Sequence, residues 1–212
     1  MGGVASNGFK TFFGYPLKLY ASDNSGNAWK VRILLGLLDV PCEIENIDFF
    51  NRGHKSEEFL KLNPRGQVPV MEIEGQVFWD TTAHLVYIAR KWGGERWLPT
   101  EPLAMAEVMH WMAFAQNDIQ NGLQSARGII KQLKTGSLIE SQQLARSALD
   151  IMQARLATRE WMAVGRPTIA DIACYPYTAL AHEAGMPLDS YTHVVAWLRR
   201  CEALPRWPQR KH

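Results

Sequence analysis

The chain has 212 residues, 47% of them hydrophobic, which is enough to bury the core of one large domain or of two small ones. Its 23 lysine and arginine residues nearly balance its 21 aspartate and glutamate residues, and the formal net charge of +2 excludes a protein that binds nucleic acid through its overall charge. No run approaches the roughly 18 consecutive apolar residues that a membrane span needs, so we expect no membrane partner.

The three cysteines, Cys42, Cys174 and Cys201, are far apart in the sequence and include no CxxC pair. This spacing disfavours a zinc site and a dithiol redox centre, and we expect no metal. A sparse, odd number of cysteines is typical of a reducing compartment, which predicts a cytoplasmic location.

The first elements predict a βαβ unit. Residues 1–16 lack the features of a signal peptide and are predicted to be a flexible arm that leads into the first strand. Residues 17–21 form a short strand, a polar turn follows, and residues 29–38 carry apolar side chains at helical spacing. The helix ends before Pro41, because proline disfavours helical geometry in the preceding residue, and CEIENIDF predicts a second strand.

A helix, a hairpin and another helix follow this unit. Ser56 is predicted to cap a short helix that stops at an Asn-Pro pair. The runs QVPVMEI and QVFW flank a Glu-Gly pair and predict an antiparallel hairpin, since glycine supplies the positive φ that a tight turn needs. Helix periodicity then extends from Thr81 to Trp92 and ends at two glycines. The predicted order is βαβαββα over residues 17–93.

The remainder of the chain is predicted to be all helical. Residues 94–102 are rich in glycine and proline and are interpreted as a linker. Within residues 103–212, an apolar stripe from Met105 to Ile130 predicts a helix of about 28 residues. Three further helices are predicted at residues 145–156, after a cap at Thr168, and at residues 191–204.

Several stretches of the sequence form a recognisable set. NPRGQVPVMEIEGQVFWDTTAHLVYIARKWG, residues 63–93, contains an Asn-Pro corner, a Val-Pro pair, an acid followed by a hydroxyl, and a helix that closes on aromatic residues. Together with KVRILLGLLDVPCE and PTIADIACYPY, it resembles the cytosolic glutathione transferases, above all the zeta-like and related bacterial and fungal members. The resemblance implies an α/β thioredoxin-like domain followed by an all-α domain. It also implies glutathione as co-substrate, a two-fold homodimer and no metal.

The same resemblance implies a glutathione site in the first domain. Val68 would pair with the backbone of the cysteinyl residue, because Pro69 corresponds to a cis-proline of the family. Asp80 would accept from the γ-glutamyl ammonium, and Thr81, at a helix start, would bind the carboxylate. Without the resemblance, Asp80 and Thr81 would be interpreted as an ordinary N-cap pair.

Weaker contacts are implied at the glycyl end of glutathione. His54, with Lys55 beside it, lies in the loop where relatives hold the glycyl carboxylate, although a solvated loop charge explains the pair equally well. Gln67 resembles a glutamine that relatives carry at this corner.

The resemblance aligns Ser25 with the catalytic serine or threonine of these transferases, and Asn27 with a neighbouring amide that some subgroups use. A hydroxyl donor would lower the pKa of a thiol from about 8.5 by roughly one to two units. Ser22 is the rival to Ser25, and both serines are also typical turn-formers. Tyr20, just before the turn, would border the pocket.

For the second substrate, the resemblance points to the first long helix, whose candidate wall residues are His110, Trp111, Phe114 and Ala115. Aromatic residues at helical spacing also occur in cores, so this assignment competes with simple packing. The leading interpretation is conjugation of glutathione to a largely apolar electrophile. The alternatives are a glutathione-dependent isomerase, dehydratase or dehalogenase, and a non-catalytic binding protein on the same scaffold.

Overall fold

The structure is a computed structural model that describes residues 17–49 and 51–208. The arm predicted at residues 1–16 lies outside the described residues.

Within the described residues, the first domain follows the predicted order βαβαββα. Its elements are β1 (Lys18–Ala21), α1 (Gly26–Leu37), β2 (Glu43–Asn46), α2 (Glu57–Leu62), β3 (Val70–Ile73), β4 (Gln76–Trp79) and α3 (Thr81–Ile88). The strands lie in the order β2-β1-β3-β4, with β1 and β2 parallel and the other two pairs antiparallel. This arrangement confirms the predicted α/β fold of the first domain.

The centre of the sheet is buried and one edge is open. Leu19 and Ala21 of β1 and Val70 of β3 are fully buried, whereas all four residues of β2 are exposed. The hairpin between β3 and β4 turns at Glu74 and Gly75, both with positive φ. The positive φ at Gly75 agrees with the prediction of a tight turn there. The loop before β3 and the starts of α1 and α3 lie together at one side of the domain.

The second domain is helical, as predicted. Its helices are α4 (Gly94–Trp97), α5 (Pro102–Phe114), α6 (Ser125–Ile130), α7 (Leu138–Leu156), α8 (Ile169–Ala179) and α9 (Thr192–Glu202). The short α4 lies within the segment that the sequence analysis interprets as a linker. Between α5 and α6 the chain remains helical but widens into a π-helix over Ala115–Gln124, so the predicted long helix has three parts.

Helix α8 forms the centre of the helical domain. Its N-cap Thr168 accepts a hydrogen bond from the Ala170 N–H at 3.3 Å, and the Asp171 carboxylate accepts from the Thr168 N–H at 2.9 Å. Asp171 also accepts from the indole N–H of Trp197 at 3.0 Å. This capping box was predicted from the spacing of Thr168 and Asp171, and it fixes the start of a helix whose residues are nearly all buried.

Replacing Thr168 with alanine is expected to lower the free energy of unfolding by about 1–2 kcal/mol, because α8 loses its side-chain cap. The shift of the urea denaturation midpoint measures this loss. Thr192→Ala is the matched control: helix α9 begins at Thr192, and its N-cap residue Tyr191 makes no side-chain capping bond. We expect a change within about 0.5 kcal/mol for the control, and equal losses in both variants would contradict the assigned role of Thr168.

No helix in residues 17–49 and 51–208 has both the length and the apolar character required to cross a membrane.

Candidate functional site

A polar cleft with a volume of about 320 Å³ lies between the first domain and the π-helix of the second. The first domain contributes the start of α1, the loop before β3 and the start of α3. Six of the residues predicted for the glutathione site line this cleft: Asn27, Gln67, Val68, Pro69, Asp80 and Thr81. The fold therefore gathers residues that are more than 50 positions apart in the sequence.

The loop before β3 presents Val68 to the cleft. The Val68–Pro69 peptide bond is cis, and Val68 is 9% exposed. The buried Asn63 holds the corner: its amide donates to the Gln67 carbonyl at 2.7 Å, and its carbonyl oxygen accepts from the Arg65 N–H at 3.0 Å. These two hydrogen bonds at the Asn-Pro corner therefore fix the backbone of the loop that leads to Val68.

Asp80 also lines the cleft and caps α3. It has φ +93°, and its carboxylate accepts from the Thr82 N–H at 2.9 Å. Thr81 follows it at the helix start and is 6% exposed. A helix N-terminus with its N–H groups directed outward favours an anion, whereas the carboxylate of Asp80 favours a cation. The pair can therefore bind a group that carries both charges.

Gln116 of the π-helix completes this end of the cleft and was missed by the sequence analysis. Its amide donates to the Asp80 carboxylate at 3.2 Å and to the Thr82 hydroxyl at 2.6 Å. Arg65 adds an ion pair to Asp80 at 3.6 Å. The sequence does contain a signal for this polar surface: the glutamines at positions 116, 120 and 124 are spaced so that their amides lie on one side of a helix.

The two predicted catalytic residues lie at the start of α1 but line different cavities. Ser25 is the N-cap of α1: its Oγ accepts from the Ala28 N–H at 3.2 Å, and its N–H donates to the Ser22 carbonyl at 3.0 Å. Asn27 lines the polar cleft, whereas Ser25 is half-buried and lines a neighbouring cavity of about 480 Å³ between α1 and β2. The two side chains therefore lie on opposite sides of the start of α1.

The second domain packs directly against this turn. The ring of Tyr177, on α8, would come within 2.6 Å of a Cβ atom at Gly26, so close packing requires glycine there. Lys30, one turn further along α1, is 2% exposed with its ammonium 5.3 Å from the centre of the same ring. Burial lowers the pKa of Lys30 to about 8, although Cys174 and Asp80 oppose this shift. The start of α1 is therefore buried in the contact between the two domains.

The loop residues predicted for the glycyl carboxylate have other partners. The His54 ring stacks on Phe49 with 4.1 Å between the ring centres, and burial lowers its pKa, with Lys55 and Arg52 acting in the same direction. The Lys55 ammonium donates to the carbonyls of Arg65 and Gly66, both at 3.2 Å. Neither His54 nor Lys55 lines the cleft, whereas Gln67 does.

The structure places the predicted second-substrate residues away from the cleft. The Tyr20 hydroxyl donates to Glu72 at 3.0 Å, and its ring packs in a small cluster behind Val68. His110 is exposed, while Trp111 and Phe114 pack edge to face in the helical core. Packing at helical spacing therefore explains the two core aromatics, and the apolar wall expected from them is not present in the cleft.

No group of three or more His, Cys, Asp or Glu side chains that could hold a metal ion occurs in the part of the chain that the structure describes. The cleft is instead built from amides, one hydroxyl, one ion pair and backbone groups.

Comparisons with known proteins agree with this arrangement. Family models match for the N-terminal domain of glutathione S-transferase at residues 15–90 and for its C-terminal domain at residues 105–205. Glutathione S-transferase 1 of Manduca sexta is 30% identical over 193 residues, covering 89% of this chain and 88% of that protein.

Solved structures extend the comparison. A glutathione S-transferase from Pseudomonas fluorescens is 31% identical with a TM-score of 0.85, covering 92% of this chain and 98% of that one. A glutathione transferase homolog from Drosophila mojavensis with bound glutathione is 27% identical with a TM-score of 0.81, covering 90% and 89% of the two chains. The protein therefore belongs to the glutathione S-transferase family.

Proposed function

We propose that the protein binds glutathione in the polar cleft, ionises its thiol at the start of α1, and transfers the sulfur to an electrophile. One observation carries the proposal: Val68, Asp80, Thr81 and Asn27 all line one cavity, although they come from three separate parts of the first domain. Each offers a polar, charged or backbone group that glutathione can use.

Glutathione would lie with its γ-glutamyl residue at α3. The Asp80 carboxylate accepts from the ammonium, and the Thr81 hydroxyl and the α3 N–H groups bind the carboxylate. The cysteinyl backbone pairs with that of Val68 in the manner of an added strand. Gln67 is the contact at the glycyl end, with His54 beyond it as a weaker candidate.

The sulfur would then lie at the start of α1, with Ser25 as the predicted hydroxyl donor and Asn27, which lines the cleft, as the alternative. A free thiol with a pKa of about 8.5 is only a few per cent ionised at neutral pH. A hydroxyl that donates to the thiolate contributes about 1.5–3 kcal/mol, which raises the ionised fraction at pH 7 to between about a quarter and three-quarters. The positive end of the α1 dipole acts in the same direction.

A glutathione-dependent isomerase needs the same thiolate. One similar protein is the maleylacetoacetate isomerase of Rhizobium meliloti, which is 26% identical over 202 residues. Conjugation consumes glutathione, whereas isomerisation returns it. Quantifying free glutathione and the substrate-derived products after complete turnover therefore decides between the two reactions.

Retention on immobilised glutathione, followed by turnover of an activated aryl halide, tests the proposal directly. We expect the protein to be retained, to be released by free glutathione, and to consume halide and thiol in equal amounts. Retention with no turnover across a panel of electrophiles would instead indicate a non-catalytic binding protein. A lack of retention and of turnover would refute the glutathione site.

We also propose that the active form is a two-fold homodimer, in keeping with the family and with the prevalence of two-fold symmetry among oligomers. Light scattering should give twice the 24.0 kDa mass of the chain. A mass of one chain at working concentration would refute this assembly.

A further inference from the structure

The turn before α1 is held by the second domain as well as by its own backbone. The peptide group that joins Asn24 to Ser25 has two polar ends, and both have a partner. Its N–H donates to the Ser22 carbonyl at 3.0 Å, and its carbonyl accepts from the guanidinium of Arg127, on α6, at 3.2 Å. Because a peptide group is planar, two bonds at its opposite ends fix its orientation, and the Cα atom of Ser25 lies in the same plane.

Arg127 is itself fixed inside the helical domain. It is 6% exposed, and its Nε donates to the Glu183 carboxylate at 2.7 Å. The Lys131 ammonium lies 2.8 Å from the same carboxylate oxygen. Burial raises the pKa of Glu183, but the hydrogen bonds from Lys131 and Arg127 outweigh this effect and lower the pKa to about 2. Glu183 is therefore charged at neutral pH and holds Arg127 in place.

The two bonds of Arg127 leave from different nitrogens of one rigid group. Nε holds Glu183 in the second domain, and Nη1 holds Asn24 in the first. A planar guanidinium presents such donors in a fixed fork, and a hydrogen bond from a charged donor is roughly twice as strong as one between neutral groups. Arg127 lines neither the polar cleft nor the cavity beside Ser25. Any effect of Arg127 on the sulfur therefore passes through the turn or through its charge.

We propose that Arg127 is a positioning residue, which orients the Asn24–Ser25 peptide and thereby the hydroxyl that stabilises the glutathione sulfur; this inference rests on the proposed function. The packing of Tyr177 against Gly26 fixes the helix start one residue after Ser25, and the bond from Arg127 fixes the peptide before it. The orientation matters because a displacement of a reacting group by about 1 Å can lower a rate by about 100-fold.

Replacing Arg127 with methionine removes the bond to Asn24 and keeps a long apolar side chain, while Lys131 still pairs with Glu183. At pH 6, we expect kcat/KM at saturating glutathione to fall by about fivefold or more, and the pKa of the bound thiol, followed by its ultraviolet absorbance, to rise by about one unit. The Kd for glutathione in calorimetry should change less than about threefold, because Val68, Asp80 and Thr81 are untouched.

Arg127→Lys separates position from charge. Lysine keeps the positive charge beside Glu183, but its donors leave from one atom, so it does not reproduce the fork. We expect the variant to fold and to show the same direction of change in kcat/KM and in the thiol pKa. It therefore also carries the test if circular dichroism shows that Arg127→Met is unfolded. Wild-type values in Arg127→Lys would mean that the charge is sufficient, and would overturn the positioning role.

Arg155→Met is the matched control. Arg155 is also a largely buried arginine of the second domain that is paired with a glutamate, but its partner, Glu107, belongs to α5 and not to the turn. We expect the thiol pKa of this variant to equal that of the wild type. A rise as large as in Arg127→Met would show a general loosening of the helical domain and would overturn the inference.

A double-mutant cycle tests whether Arg127 acts through Ser25. In the Ser25→Ala background, Arg127→Met should lower kcat/KM by less than about twofold, because the hydroxyl that it positions is absent. An undiminished fall in that background, or unchanged kinetics in Arg127→Met alone, would overturn the inference and leave the proposed function intact. If the wild-type protein neither bound glutathione in calorimetry nor turned over any electrophile, the proposed function would fail and this inference with it.

Discussion

Replacing Ser25 with alanine is expected to lower kcat/KM by about 10- to 1000-fold, with KM for glutathione changed less than about threefold. The Ser25 Oγ accepts a hydrogen bond from the Ala28 N–H at 3.2 Å, so its own O–H stays free to donate to a thiolate. The same atom can thus cap α1 and stabilise the charged sulfur. Titration of the bound thiol by its ultraviolet absorbance should show a higher pKa in the variant.

Capping and catalysis at Ser25 can be separated by further substitutions. Ser25→Thr keeps both the cap and the hydroxyl donor and should retain most activity. Ser25→Asp keeps the cap but places a negative charge beside the sulfur, so it should fold normally and lose activity.

Asn27 is the alternative donor, because it lines the cleft while Ser25 lines the neighbouring cavity. Unchanged kinetics in Ser25→Ala, with a collapse of kcat in Asn27→Ala, would contradict the assignment and move the role to the amide. Ser22→Ala is expected to be close to wild type, since the Ser22 carbonyl, not its side chain, makes the contact with Ser25.

The local features of the first domain were readable from the sequence because they depend on neighbouring residues. The hairpin between β3 and β4 needs a positive φ that its glycine supplies, and the cap of α8 needs the spacing of Thr168 and Asp171. Both signals act within four residues. The cis bond before Pro69 was expected only through the family resemblance, because most X–Pro bonds are trans.

The features that the sequence analysis missed depend on contacts across the fold. Gln116 meets Asp80 across 36 positions of sequence, and no local pattern ties a helical glutamine to a particular carboxylate. The spacing of Trp111 and Phe114 is compatible both with a cleft wall and with the core. Only their packing against the rest of the helical domain shows that they belong to the core. The π-helix likewise has no turn or cap signal; the glutamine spacing marks an amide face, and only the packing shows that this face lines the cleft.

Replacing Asp80 with asparagine is expected to raise the Kd for glutathione by about 10- to 100-fold, because the hydrogen bond from the glutathione ammonium loses its charge assistance. Asparagine keeps the side-chain oxygen that caps α3 and tolerates the positive φ of 93° at this position, so the helix start should remain in place. Titration calorimetry gives Kd, and kcat at saturating glutathione should fall less than about threefold.

Glu74→Gln is the matched control for Asp80→Asn. Glu74 is also an acidic residue with positive φ, and it forms an ion pair with Lys91 at the exposed hairpin, away from the cleft. It therefore undergoes the same change of charge without touching the ligand, and its glutathione affinity should match that of the wild type. If kcat fell in Asp80→Asn while Kd stayed constant, Asp80 would act on the reacting sulfur and not on the ammonium.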